Sequence, residues 1–253
     1  MTDITAILNL HDEGLLAGPS IHSFEAAIAH ARAQQLAVES IVVIDRSDAT
    51  TKAVFENLES RHRLLVSDAG DPSHARNKGV AAANGAYIAF LDGDDLWGYR
   101  WLAAAHDFCV RSPIEVIAHS EVNIVFGEES LIWWHADSED PEFDLDFLRI
   151  GNYWDSLSFA KREIFIKYPF EKNDMAAGFG IEDWHWNCVT LENGIGHRPV
   201  ANTVHMKRRR SGSQYFRCRA NDLVIWPTEL TLYRWKPMPR QLPGGQAKYT
   251  MTP

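Results

Sequence analysis

The sequence predicts an α/β protein whose mostly parallel central sheet is covered by helices on both faces. Three observations carry that prediction. Strand-like and helix-like segments alternate over the first hundred residues. The strands read as continuous apolar runs, as strands buried on both faces do. The runs at 39–45 and 86–92 each end on a carboxylate, Asp45 and Asp92, at the sheet edge where open α/β sheets bind ligands.

Residues 4–10 form the first expected strand, and a polar loop follows over 11–14. A helix is expected from Ser20, which would cap it behind Pro19, because Ile21, Phe24, Ile28 and Ala31 recur at helical spacing. Residues 39–45 read as a second strand, 49–60 as a helix and 62–67 as a third strand. Ser73 is the expected cap of the next helix, over 75–83, which leads into the strand at 86–92. Beyond residue 99 the alternation loosens. A helix is expected over 99–110, then strands over 114–118, 121–126 and 130–135, and a solvated acidic loop over 137–146. A strand over 156–160, a short helix over 161–166, a helix over 181–192 and a last strand over 197–204 complete the reading. Pro227, Pro237, Pro239, Pro243 and Gly244-Gly245 divide the chain into a domain over 1–225 and a tail or linker over 226–253.

Composition narrows the functions. At 253 residues, 45% hydrophobic and 23% charged, the chain can bury a sizeable core. A formal net charge of -9 argues against a broad nucleic-acid-binding face, which needs positive charge. No apolar run approaches the roughly 20 residues of a membrane span, and no signal peptide precedes Ile4. Cys109, Cys188 and Cys218 form no paired motif, which points to a reducing compartment, the cytoplasm.

The chemistry concentrates at Asp92-Gly93-Asp94-Asp95, three carboxylates within four residues. Crowded carboxylates repel one another unless a cation or hydrogen-bond donors compensate them. Hard oxygen ligands at a strand exit suit Mg²⁺ or Mn²⁺ shared with substrate phosphates; the plain alternative is an acidic turn. Glu182-Asp183 opens an expected helix, where carboxylates also favour the positive end of the dipole without any catalysis. Trp184 and Trp186 flank His185; at i and i+2 they face two directions, so one belongs to the core and the other can offer a flat face to a sugar. Trp133, Trp134 and Trp154 are read as core. Lys207-Arg208-Arg209-Arg210, with Arg217 and Arg219 near, is the one basic cluster; its guanidinium forks match phosphate oxygens, and the plain alternative is a solvated charge run.

Taken together, the strand ending at Asp45, Ala75-Arg76-Asn77-Lys78-Gly79, the run from Gly85 to Asp95, Gly180-Ile181-Glu182-Asp183 and the basic run before Ser211-Gly212-Ser213 resemble a GT-A glycosyltransferase of family 2, over about residues 4–213. The resemblance implies a GT-A, Rossmann-like three-layer sandwich and an inverting, metal-dependent transfer of sugar from a nucleotide donor. It implies that Asp45 meets the nucleotide base, or else caps its own turn, and that Arg76 lies near the nucleotide or packs structurally. Asp92 would meet the ribose or the metal's water, and Asp94 would bind Mn²⁺ or Mg²⁺; Asp95 would be a second ligand or merely support the loop, and His205 a further ligand or, as a lone histidine more often is, a structural ring. Asp183 would be the base, with Glu182 beside it, and Trp184 or Trp186 would line the acceptor cleft. Arg208 and Arg209 would clamp the donor diphosphate on a late-ordering loop. The implied partners are a UDP-, dTDP- or GDP-linked sugar and a glycan or lipid-linked acceptor of bacterial surface polysaccharide synthesis. Peripheral contact with the inner face of the membrane, or further domains beyond the C-terminus, would go with them.

The chain departs from that family's habit at Asn9-Leu10-His11-Asp12-Glu13, at Asp45-Arg46-Ser47-Asp48 and at His205-Met206-Lys207-Arg208-Arg209-Arg210. The first two lie where base and ribose would sit, so the donor stays open. Two rival readings remain. A catalytically silent glycan- or nucleotide-binding module is compatible with those departures. A sugar-phosphate nucleotidylyltransferase would need a Gly-rich loop after the first strand, which residues 9–19 do not supply.

Overall fold

The computed structural model describes residues 2–54 and 58–231. Four strands make a parallel core: β1 (Ile4–Leu10), β2 (Val38–Asp45), β3 (Arg63–Ser67) and β4 (Tyr87–Asp92), with β1 between β2 and β4. The sheet continues through β8 (Phe159–Lys161), β6 (Val116–Gly127), β9 (Gly196–Arg209) and β5 (Leu96–Trp97), while β7 (Leu131–Trp134) pairs with β6. β8 is antiparallel to both its neighbours, whereas β6 and β9 run parallel.

Strand residues alternate between two cores, which is how a pleated strand buries both faces. On one face Leu8, Leu91 and Val42 meet α1 (Ala17–Ala33) and α4 (Trp101–Arg111), centred on Phe24 and Trp101. On the other, Ile7, Phe90 and Val43 meet α3 (Pro72–Ala82), α5 (Arg162–Lys167) and α6 (Glu182–Glu192). Each fully buried side chain of this size contributes about 1.5–3 kcal/mol. Gly85 lets the chain enter β4 close against β1, since a Cβ there would lie 2.6 Å from the Ile4 carbonyl carbon.

Several expected boundaries move for identifiable reasons. α1 begins at Ala17, and Pro19 sits in its first turn, where a missing N–H forfeits no helical bond; Ser20 is buried inside the helix, not its cap. α3 is capped by Asp71, whose side chain accepts from the His74 N–H with Pro72 following; Ser73 donates to the Glu171 carbonyl instead. The strands expected at 114–118 and 121–126 are one strand, β6, with an irregularity between Ser120 and Val122. The acidic stretch is not wholly solvated, because Asp137 holds Arg198 in a two-pronged ion pair. β9 runs on to Arg209, so Lys207–Arg209 lie in a strand and not on a loop. One strand and one α-helix were not expected, β5 and α7 (Gln214–Ala220), nor were three short 3-10 helices at Gly14–Leu16, Leu145–Arg149 and Met175–Ala177. The helix expected over 49–60 is seen as α2 (Ala49–Val54). Residues 55–57, and Pro237, Pro239, Pro243 and Gly244-Gly245 of the expected tail, lie outside the described residues.

Candidate active site

The carboxyl edge of the parallel strands carries the charged groups, and each carboxylate there has been given a different neighbour. Gly93 makes the Asp92–Asp95 turn possible: a Cβ would come within 2.8 Å of the Glu13 carboxyl and 3.0 Å of the Asn9 carbonyl. Asp92 accepts from Arg76 (2.9 and 3.1 Å) and from the Ser156 hydroxyl at 3.0 Å. Arg76 is itself buried and its other prong donates to Glu182 at 2.7 Å. Burial raises the Asp92 carboxyl, but Arg76 and then Lys207 overcome it and hold Asp92 ionised.

Asp95 is buried and faces inward. It accepts from the Arg208 backbone N–H at 2.7 Å and pairs with the buried Lys207 ammonium at 2.9 Å. Lys207 also reaches Asp155 at 3.4 Å, and Asp155 accepts from Asn123 at 2.7 Å. Asp94 points elsewhere, to Arg210, which donates at 2.8 Å. Beside it, Glu13 accepts from the His11 N–H, and its carboxyl is pushed up to about 7 by burial and by the Asp94 charge.

Across the edge stands α6. Gly178 adopts a positive φ of 87°, and the residue before the helix, Ile181, is held at φ 60°, ψ 56°, a strained conformation for a β-branched side chain. Neighbouring segments enforce it: the Gly180 N–H donates to the Val224 carbonyl, and a Cβ on Gly180 would meet Leu223 at 2.8 Å. Glu182 is buried between Arg76 and Asn173, which donates at 3.0 Å. Asp183 keeps one side-chain bond, from the Trp184 N–H at 2.7 Å. Burial first and the Glu182 charge second push its carboxyl up to about 7, against the pull of Arg76 and Lys207. A carboxyl poised there, partly exposed, can take a proton at neutral pH. Glu182, tied on both oxygens, is a support for that turn.

The other expected site residues are distributed as follows. Asp45 is buried, and its two oxygens accept from the Ala69 and Asp71 N–H groups, so it fixes the β3–α3 loop. Arg208 lies over the Phe126 ring, with its Nε directed at the Asp94 carbonyl (3.3 Å); Arg209 lies over the Tyr215 ring near Glu129. The guanidinium at the Asp94 carboxylate is Arg210. His205 is wholly buried edge-on to Trp101 at 4.6 Å, and burial drives it down to about 3, so it is a neutral core ring. Trp186 is 2% exposed, stacked on Phe165 and Phe170, and donates to the Tyr168 carbonyl; both of its faces are covered by protein, which corrects the acceptor expectation for it. Trp184 is partly buried and donates to the Leu148 carbonyl. Trp154 is core, as expected, but Trp134 is 64% exposed. Among the described residues no helix is long and apolar enough to cross a membrane.

Of the expected metal ligands, Asp95 is committed to Lys207 and His205 to the core. Among the described residues no group of three His, Cys, Asp or Glu is arranged to hold a metal ion. What remains is Asp94, a single hard-oxygen ligand whose carboxylate, among the described residues, has one cationic partner, Arg210 just past the end of β9. Mg²⁺-type ions need little more when substrate phosphates and water complete their shell.

The functional residues that escaped sequence reasoning are Lys207 as a buried counter-ion, Asp155, Ser156, Asn173, Glu13 and Arg210 as the partner of Asp94. The cluster of basic residues was visible; which of them turns inward was not.

Comparison with known proteins gives a consistent set. The family model described as Glycosyl transferase family 2 matches residues 21–168, over half of the chain. The Escherichia coli UDP-Glc:alpha-D-GlcNAc-diphosphoundecaprenol beta-1,3-glucosyltransferase WfgD is 38% identical over 114 residues, 44% of this chain and 42% of that protein. The crystal structure of S. aureus TarS 1-349 in complex with UDP-GlcNAc matches with a TM-score of 0.58 at 17% identity, covering 84% of this chain and 60% of that one. Mannosyltransferase PcManGT from Pyrobaculum calidifontis, in complex with GDP-Man and Mn²⁺, matches at 0.56 and 17%, covering 86% and 60%. The chain therefore spans less than two thirds of the length of each of these proteins.

Proposed function

The chain belongs to glycosyl transferase family 2, and from that premise we propose that it moves a sugar from a nucleotide-sugar donor to a hydroxyl of a lipid-linked glycan with inversion, Asp183 acting as base. The observation that carries this reading is the contrast between two neighbours: Glu182 is ion-paired with Arg76 at 2.7 Å, while burial and the Glu182 charge push the adjacent Asp183 carboxyl up to about 7.

In the proposed reaction an acceptor oxygen attacks the anomeric carbon from the face opposite the diphosphate. Its proton passes to Asp183, the new C–O bond forms, and the bond from the anomeric carbon to the diphosphate oxygen breaks. The leaving group departs with an added negative charge, which preorganised cations stabilise. Arg210, at the Asp94 turn, supports that role. Asp94 would hold a divalent ion, with Arg210 swinging from the carboxylate toward phosphate; the ion would supply Lewis-acid stabilisation of the leaving phosphate. WfgD, a UDP-glucose enzyme with a diphosphoundecaprenol-linked acceptor by its name, supports a UDP-sugar donor, a lipid-linked acceptor and work at a membrane surface here.

Calorimetric titration of UDP, GDP and dTDP with Mn²⁺, and again with EDTA, tests the donor half. UDP binding that needs Mn²⁺ and is lost in Asp94→Asn is the expected result. Absence of binding by all three nucleotides in the wild type would overturn the proposal.

A further inference from the structure

Two acids stand side by side at the start of α6, and what distinguishes them lies in the loop at 170–180. α3 grips that loop: Asn77 and Phe170 exchange two hydrogen bonds at 2.8 and 3.0 Å, and Ser73 donates to the Glu171 carbonyl at 2.6 Å. Further on, Asp174 and Phe179 exchange backbone bonds at 2.9 Å, which closes residues 174–179 into a small loop and sets Asn173 opposite Gly180. From there the Asn173 amide nitrogen donates to two carboxylates, Glu182 at 3.0 Å and Asp71 at 3.2 Å. The opposite amide orientation would press a carbonyl oxygen against both of them, so the N–H groups are the ones in use.

Arg76, carried by the same α3 frame, takes the other Glu182 oxygen at 2.7 Å. Glu182 therefore has a donor on each oxygen, whereas Asp183 accepts the Trp184 N–H alone. A buried carboxylate held by donors on both oxygens favours its ionised form. A neighbour poorer in donors meets that charge and keeps its proton longer. The charged groups that face Asp183 are Glu182 on its own helix, Arg76 on α3 and Lys207 on β9. The Cys218 thiol of α7 stands near both acids and is pushed up by burial, so it stays uncharged. The pair is thus unequal by construction, and the Asn173 amide is the one neutral donor that makes it so.

We infer that Asn173 is the positioning residue of the base: it holds the Glu182 carboxylate beside Asp183 and so decides which of the two acids carries the proton. The inference rests on Asp183 being the base. It adds a residue that lies outside the stretch 21–168 matched by the family model. Asn173 acts through Glu182 and not on the substrate.

The test is Asn173→Leu, which removes the amide and keeps the backbone N–H that also holds Asp71 at 3.2 Å. The Asp183 carboxyl is titrated directly by carbon NMR, with Asp183→Asn identifying its signal, and kcat/KM is profiled across neutral pH. The wild-type carboxyl should titrate at about 7. In Asn173→Leu, Glu182 loses a charge-assisted bond and takes the proton more readily. The Asp183 midpoint should then fall by about one pH unit. The rise in kcat/KM between pH 6 and 8 should shrink from about tenfold to about twofold. Glu182→Gln should lower the midpoint likewise, and adding Asn173→Leu to it should shift nothing further. An unmoved midpoint in Asn173→Leu overturns the inference, as does a further shift in the double variant. Should the leucine variant not fold, Asn173→Ser, whose hydroxyl stops one bond short of the amide nitrogen, carries the same expectation. Because the NMR titration needs no turnover, a midpoint that moves without kcat/KM following supports the hold of Asn173 on Asp183 and overturns the base reading in its place.

Discussion

Replacing Asp183 by asparagine removes the proposed base while keeping its size and its bond from the Trp184 N–H. In the wild type burial and Glu182 lift this carboxyl from an ordinary 3.8 to about 7. With that value, roughly a tenth is ionised at pH 6 and about nine tenths at pH 8. Hence kcat/KM, which reports the free enzyme, should rise about tenfold across that interval. Asp183→Asn should lower kcat by about 10²–10⁴ and leave UDP affinity unaltered. Stability should move the opposite way. A carboxyl whose pKa is raised by folding weakens the fold as pH climbs from about 4 to about 7, because the unfolded chain releases its proton first. At 1.36 kcal/mol per unit this has an upper bound of roughly 4 kcal/mol. Asp183→Asn should therefore melt above the wild type at pH 8 and alongside it at pH 4. A flat kcat/KM between pH 6 and 8, with a variant retaining more than about a tenth of wild-type kcat, would refute the assignment of the base.

Three further outcomes test the frame around it. Arg76→Met strands Asp92 and Glu182 and should cost about 3–5 kcal/mol in urea unfolding; Arg76→Lys should not restore it, since one ammonium cannot span both carboxylates as the guanidinium fork does. Lys207→Met should cost a similar amount by leaving Asp95 and Asp155 buried without a cation, and adding Asp155→Asn should recover part of the loss, a non-additivity read in a double-mutant cycle. Gly85→Ala should lower the melting temperature markedly, because the added methyl meets the β1 backbone and not a movable side chain; a variant as stable as wild type would mean that β4 enters the sheet differently.

The parallel core was legible because its signal is local. Runs such as residues 39–45 and 86–92 announce buried strands, and Asp92-Gly93-Asp94-Asp95 announces an unusual turn without any knowledge of neighbours. What the sequence could not convey was pairing across distance. Lys207 and Arg210 look alike in a run of four bases, yet one sits buried between Asp95 and Asp155 and the other meets Asp94 at the rim. That difference depends on β9 lying beside β6 and running on to Arg209, a register no local periodicity encodes. His205 stayed open between ligand and structural ring for the same reason: a lone histidine carries no mark of the Trp101 ring beside it. Trp186 and Trp184 were separated correctly in direction, but the covering rings Phe165 and Phe170 come from α5 and the loop after it.

The strand order has a consequence for how the protein is made. β1 through β4 are contiguous in the first hundred residues and can pair as they leave the ribosome. Arg210, the partner of Asp94, is synthesised more than a hundred residues after it, and the Val224 carbonyl that anchors the turn before Asp183 comes later still. Long-range pairings of this kind form late and slowly. During synthesis, then, the growing chain carries a folded half-sheet with Asp94 unanswered and Asp183 unset, and the charged edge closes only when almost the whole described sequence has emerged.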